Sequence, residues 1–97
     1  MLESSSFALD ADQRIVQAAK KNDAAAVKSL IQQKADVNAA EADGTTALHW
    51  AAHANNLEMA RLLLRAGANV NAVNRYGVAP LRLAVEAGNV ALAEALL

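Results

Sequence analysis

Ala-Asp-Val-Asn-Ala at residues 35–39 returns as Ala-Asn-Val-Asn-Ala at residues 68–72, 33 residues further along the chain. The same interval separates other pairs: Gly44 and Gly77, Leu48 and Leu81, Ala51 and Ala84, Leu63 and Leu96. A fixed period of this length indicates stacked structural units, each of which buries its apolar side against its neighbours. Such an array presents an extended surface, which favours a binding function over catalysis in a closed pocket.

The composition agrees with an array of small helices. Hydrophobic residues make up 55% of the 97 residues, yet the chain has only one Phe, one Tyr and one Trp. Its apolar mass is mostly Ala, Leu and Val, which suits close helix packing. A net charge of −1 gives no bulk attraction for nucleic acid or an anionic membrane. No apolar run approaches the roughly 18 residues of a membrane span, so we expect neither partner.

The chain ends and the cellular compartment are less constrained by the sequence. The lack of cysteine excludes disulfides and thiolate metal sites. The first residues lack the basic and apolar regions of a signal peptide, so the cytoplasm is the default location, although a signal removed earlier would leave no trace. Residues 1–9 carry no repeat pattern and are predicted to be a disordered or tag-derived tail. Phe7 is left open as a cover for the first unit.

The second unit, about residues 41–73, has the clearest helix pattern. Thr46 is expected to cap a short first helix, and Asn56 to cap the second. Gly67 follows in the position where a left-handed residue ends a helix. The two helices are predicted at 46–52 and 57–65, after an Asp43-Gly44 turn.

The other two units follow the same plan with departures. In the third, about residues 74–97 and incomplete, Pro80 suits the first turn of a helix. In the first, about residues 10–40, Lys34 stands where the second unit has Gly67 and is predicted to be left-handed. The three second-helix caps, Asp23, Asn56 and Asn89, recur at the 33-residue interval.

These units resemble the ankyrin repeat, whose first helix opens with Thr-Pro-Leu-His-x-Ala in a unit of 33 residues. Residues 46–51, Thr-Ala-Leu-His-Trp-Ala, match four of the five specified letters, and residues 79–84 match three. The resemblance covers about residues 10–97. It implies an all-α solenoid of stacked helix-turn-helix units joined by β-turn loops, with a divergent N-terminal capping-type unit and a truncated last unit.

The resemblance also implies a function, the recognition of another protein by a rigid concave surface, with no catalytic residue and no cofactor. In the family, the turn tips and the exposed sides of the first helices meet the partner. Carried over, the contact residues are Lys20, Lys21, Asp43, Thr45, His53, Arg75, Tyr76, Val78 and Glu86. Small residues beside them, Ala42, Ala54 and Ala87, favour an alternative: a structural spacer or scaffold at the N-terminus of a longer array.

Two further features of the first helix allow more than one interpretation. His49 and His53 lie four residues apart, a spacing that can hold a metal, but the sequence offers no clear third ligand. The ankyrin motif instead gives His49 a hydrogen-bonding role beside the Thr46 cap. Trp50 is expected to pack between units, with a partly exposed anchor for a partner as the alternative.

The repeat register predicts which residues form the core and which lie at the open end. The predicted core comprises Ile15, Ala18, Ala19, Val27, Leu30, Ile31, Leu48, Ala51, Ala52, Leu57, Leu62, Leu63, Leu81, Ala84, Val90 and Leu96. At the C-terminal end no polar unit follows, so apolar surface is expected there, with Leu83, Leu92, Ala95 and Leu96 as candidates. That surface predicts self-association or fraying.

Replacement of Thr46 by Ala should lower the free energy of unfolding by about 1 kcal/mol, because Thr46 is the predicted N-cap of the best-formed unit. Urea denaturation followed by circular dichroism measures the change. An unchanged midpoint would show that the helix does not start there.

Overall fold

The computed structural model describes residues 13–97, which form three pairs of helices joined by short turns. The helices are α1 (13–20), α2 (Ala24–Gln32), α3 (Ala47–His53), α4 (Leu57–Arg65), α5 (Pro80–Glu86) and α6 (Val90–Leu96). Over this range extended structure is limited to an isolated antiparallel bridge between Ala40 and Thr46. None of these helices is long and apolar enough to cross a membrane. The predicted tail, residues 1–9, lies outside the described residues.

The second helix of each pair begins at its predicted cap. Asp23, Asn56 and Asn89 each accept a hydrogen bond of 2.9–3.0 Å from the backbone N–H three residues on. This bond satisfies one of the donors that the first turn of a helix leaves free. Pro80 is the first residue of α5, as predicted, where its missing N–H costs nothing.

The helix ends use one recurring motif. The left-handed residues just after α1 to α5 are Asn22, Lys34, Asn55, Gly67 and Gly88, with φ between 60 and 97°. After α2, for example, the N–H of Lys34 donates to the carbonyl oxygen of Ile31, and the N–H of Ala35 to that of Leu30, both at 3.0 Å. These bonds satisfy the last carbonyl groups of the helix. The left-handed conformations predicted for Lys34 and Gly67 are confirmed.

The core runs along the stack, because helices of the same phase pack against one another. α3 contacts α5, and α4 contacts both α2 and α6. Most of the predicted core is buried: Ile15, Ala18, Ala19, Val27, Leu30, Leu48, Ala51, Ala52, Leu63, Ala84 and Leu96. Ile31, Leu57, Leu62 and Leu81 are half-buried. Buried residues absent from the predicted list include Val16, Met59 and Leu92.

The prediction that Val90 belongs to the core is wrong, since its side chain is 69% exposed. The expected exposure of Leu92 and Leu96 is also wrong, because α6 turns both toward the interior. The exposed apolar residues at this end are instead Val85, Val90 and Leu97, at 62, 69 and 89%. Their counterparts one period earlier, Ala52, Leu57 and Leu64, are buried or half-buried. The third unit therefore exposes the side whose equivalent on the second unit is covered by the third unit.

The repeated motif at residues 35–39 and 68–72 also links the first two units. The side-chain oxygen of Asn38 accepts a hydrogen bond of 2.7 Å from the backbone N–H of Asn69. Its amide nitrogen donates to the carbonyl oxygen of Gly67 at 3.2 Å. One asparagine thus satisfies two backbone groups of the next unit, which accounts for its place in the repeated segment.

Lys34→Gly should be neutral or mildly stabilising. Relief of left-handed strain, about 1–2 kcal/mol, is partly offset by roughly 0.5–1 kcal/mol of extra unfolded-state entropy. Gly67→Ala, at the same phase of the next unit, provides the mirror control and should destabilise by about 1 kcal/mol. Urea midpoints measure both changes. A loss of more than about 1 kcal/mol in Lys34→Gly would mean that the lysine side chain makes a needed contact.

The 97-residue chain should self-associate through Val85, Val90 and Leu97, or exchange amide protons rapidly at residues 90–97, because the end of the stack is uncovered. Sedimentation velocity and hydrogen exchange measure these effects. The double variant Val85→Glu, Val90→Lys should suppress any association, whereas Val73→Lys, at an exposed valine elsewhere, should not. A monomer at high concentration with strong protection through Leu97 would contradict the expectation.

Candidate binding groove

The turn tips of the second and third units lie against each other. In each tip a glycine N–H closes the turn: Gly44 donates to the carbonyl oxygen of Glu41 at 2.8 Å and Gly77 to that of Asn74 at 2.9 Å. Gly44 has a φ of 87°, and a Cβ atom there would lie 3.1 Å from the Cα atom of Asn74. Both the backbone conformation and the close approach therefore require glycine.

Asp43 stabilises its own turn through a hydrogen bond to its carboxylate. Its carboxylate accepts the backbone N–H of Thr45 at 2.9 Å. Hydrogen bonds from the hydroxyl and the backbone N–H of Thr45 lower the pKa of this carboxyl, and the positive charge of Arg75 acts in the same direction. The ionised form therefore favours the folded state at neutral pH, and this contribution is lost as the pH falls through the lowered pKa.

His49 joins the first helix of the second unit to the loop of the third. Its Nδ1 atom accepts the backbone N–H of Thr46 at 3.0 Å, and the Thr46 hydroxyl lies 2.9 Å from the same atom. Its Nε2 atom lies 2.7 Å from the carbonyl oxygen of Val78. Since a carbonyl oxygen only accepts, Nε2 carries the proton, and Nδ1 is the acceptor of a neutral ring. The ring is buried, with 1% exposed.

The Thr46 cap is therefore present in a modified form. Thr46 is the N-cap of α3 and forms a capping box with His49. The short hydrogen bonds of this box run to the imidazole, while the hydroxyl faces the His49 backbone N–H without a well-formed bond. The expected capping role is thus shared between the two side chains.

The hypothesis of a metal site at His49 and His53 gains no support from this geometry. The lone pair of His49 Nδ1 is occupied by Thr46, and its Nε2 is committed as a donor to the Val78 carbonyl. Within residues 13–97 no group of three or more His, Asp and Glu side chains is placed to hold a metal ion. His53 instead meets the ring of Trp50 edge-on, with 5.7 Å between centroids.

Trp50 is half-buried and is held by the first two units. Its Nε1–H donates to Glu41 at 2.9 Å, and the Lys20 ammonium lies 5.1 Å from the ring centroid. Lys20 and Glu41 form an ion pair of 2.8 Å. The indole packs against Lys20 of the first unit, in agreement with the expected packing between units. It also borders an open groove, and its role as an anchor for a partner stays a prediction.

This groove lies between the second and third units and has a volume of about 310 Å³. It is lined by Asp43, Thr45, His49, Trp50, His53, Asn74, Tyr76, Val78 and Leu83. Five of the nine predicted contact residues meet there: Asp43, Thr45, His53, Tyr76 and Val78. Tyr76 is 69% exposed, whereas Thr45 is only 8% exposed.

The other four predicted contact residues lie outside the lining of the groove. Arg75 is at the neighbouring turn tip, where its backbone N–H donates to the carbonyl oxygen of Asp43 at 2.6 Å. Lys20 contacts the ring of Trp50, which lines the groove, but does not line the groove itself. Lys21 is exposed just after α1, and Glu86 pairs with Arg82 at 3.0 Å.

Two residues that bear on the groove are absent from the predicted set: Leu83, which lines it, and Glu41, which accepts the indole N–H of Trp50. Leu83 follows Trp50 by 33 residues and so occupies the same phase on the next first helix. That register could have identified it. Glu41 carries no such pattern, since its role depends on an indole nine residues away in sequence.

Residues 15–97 match the family model for ankyrin repeats, in three copies. The chain belongs to the ankyrin repeat family, and the predicted all-α repeat solenoid is confirmed. Ankyrin repeats are generally non-catalytic modules for protein–protein interaction. No curated protein matches the chain significantly.

His49→Ala should lower the free energy of unfolding by at least about 2 kcal/mol. The substitution leaves the Val78 carbonyl and the Thr46 N–H without their partners, at about 1–3 kcal/mol for each buried polar group. His53→Ala, on the same helix but exposed, is the control and should change stability by no more than about 0.5 kcal/mol. Equal, small shifts in the urea midpoint would show that the bridge to Val78 contributes little.

Proposed function

We propose that this chain is a non-catalytic recognition module that binds another protein through the groove and the adjoining turn tips. The observation that carries the proposal is the position of Tyr76. This large aromatic residue is 69% exposed at the edge of a groove that also contains Trp50, Val78 and Leu83. Exposed aromatic residues next to a partly desolvated groove are typical of the residues that dominate interface energies.

The rigidity of the surface supports the same proposal. Trp50 is fixed by Glu41 and Lys20, and the loop of the third unit is fixed by the bond from His49 to the Val78 carbonyl. A surface arranged before binding loses little conformational entropy when a partner arrives. The cost of association is correspondingly small.

A structural spacer or scaffold segment is the second candidate. The observation in its favour is the exposure of Ala42, Ala54 and Ala87, each next in sequence to a predicted contact residue, since alanine offers a partner little contact area. In that case the groove would contact nothing itself, and exposed residues along it could be changed without effect.

Affinity capture distinguishes the two candidates. The wild-type chain and the double variant Arg75→Ala, Tyr76→Ala are immobilised at equal density and exposed to a lysate of the source organism. A recognition module predicts proteins held by the wild type and lost from the variant. Val73→Ala, which removes an exposed apolar side chain outside the groove, is the control and should retain them.

Identical capture by all three chains would contradict recognition through this groove and favour the spacer. Because Arg75 and Tyr76 are exposed, the double variant should keep its urea midpoint within about 0.5 kcal/mol of the wild type. That measurement separates loss of binding from loss of folding.

A further inference from the structure

We propose that the groove accepts an uncharged, apolar anchor: one aliphatic or aromatic side chain of a short peptide segment, bound with little dependence on salt. The inference rests on the proposed function and adds the chemistry of the partner. Three features of the groove carry it: the apolar part of its lining, the engagement of its two carboxylates within the chain, and its size.

Much of the surface that lines the groove is apolar. The indole of Trp50, the ring of Tyr76 and the aliphatic side chains of Val78 and Leu83 are among its lining. Because the indole N–H already donates to Glu41, Trp50 has no free hydrogen-bond donor to offer a ligand, and the rest of its ring is apolar. An apolar side chain placed there would remove water from these surfaces, which is favourable in proportion to the area covered.

The two carboxylates at the groove, those of Glu41 and Asp43, are engaged within the chain. Glu41 pairs with Lys20 at 2.8 Å and also accepts the indole N–H. Asp43 accepts the Thr45 N–H and lies within the influence of Arg75. A partner's lysine or carboxylate would have to compete with these contacts for its counter-ion. Ionic recognition is therefore disfavoured, and an uncharged anchor is the complementary choice.

The size of the groove limits the partner to a few side chains. Its volume of about 310 Å³ is at the lower end of the range of about 300–1,000 Å³ for ligand pockets. A short segment with one inserted side chain fits this space, and the adjoining residues of the segment would cross the exposed ring of Tyr76.

A phage-displayed library of random dodecapeptides, selected on the immobilised 97-residue chain, tests the proposal. Selected peptides are then synthesised and titrated. Trp50 is the only tryptophan, so its emission reports directly on occupation of the groove. Each titration is repeated at low and high NaCl, about 50 and 500 mM, because surface ion pairs weaken strongly over that range.

Two variants block the groove in different ways. Leu83→Glu places a charge inside it, and Val85→Glu, at an exposed position of the same helix outside the groove, is the matched control. Since Leu83 is partly buried against the core, Tyr76→Ala at an exposed site gives a second test with little risk to folding.

We expect groove-dependent peptides that share one aliphatic or aromatic position. Alanine at that position should weaken binding at least about tenfold, and the change in salt should alter Kd less than about threefold. Leu83→Glu and Tyr76→Ala should lose the peptides, while Val85→Glu keeps them.

Two results would contradict the apolar anchor, and they differ in whether they also contradict recognition through the groove. Peptides that need Tyr76 and Leu83 but share charged residues, with binding weakened tenfold or more by salt, would refute the apolar anchor and retain recognition through the groove. Repeated selections that yield no peptide dependent on these two residues would refute both the anchor and the groove as the recognition surface.

Discussion

None of the three helix pairs in residues 13–97 can bury its own apolar side, and this constraint accounts for the rest of the structure. Short helices such as α3 and α5 are marginal alone. They persist because each unit covers the one before it, as α5 does for α3 and α6 for α4. Leu48 of α3, Leu63 of α4 and Leu92 of α6 are almost fully buried. Val85, Val90 and Leu97, whose counterparts one period earlier are buried or half-buried, are exposed.

Polar bonds between units set the register of this apolar stacking. The amide of Asn56 donates to Asn22 at 2.9 Å, and that of Asn89 donates to Asn55 at 2.6 Å. Asn22 and Asn55 also end a helix in the left-handed conformation, which asparagine tolerates better than most residues. Asn22 and Asn55 therefore each end a helix of their own unit and accept a hydrogen bond from the next unit. His49 adds a buried link to the Val78 carbonyl.

The same stacking produces the groove. Because the loop of the third unit is bound to His49, Tyr76 and Val78 stand opposite the helix that carries Trp50. The ring of Trp50 contacts Lys20 of the first unit, and its Nε1–H donates to Glu41 in the loop before α3. Interactions that stabilise the array thus position the residues proposed for recognition.

Local features of the fold were set by the amino-acid sequence itself. The caps Asp23, Asn56 and Asn89 and the left-handed Lys34 involve bonds that span only a few residues, so a single unit contains all the information they need. The 33-residue period likewise determined the class of fold. Tertiary structure alone decided that Val90 faces solvent, because the exposed side of a seven-residue helix depends on which neighbour covers it. It also decided the environment of Trp50, whose partners Lys20 and Glu41 come from different units and meet only when those units stack.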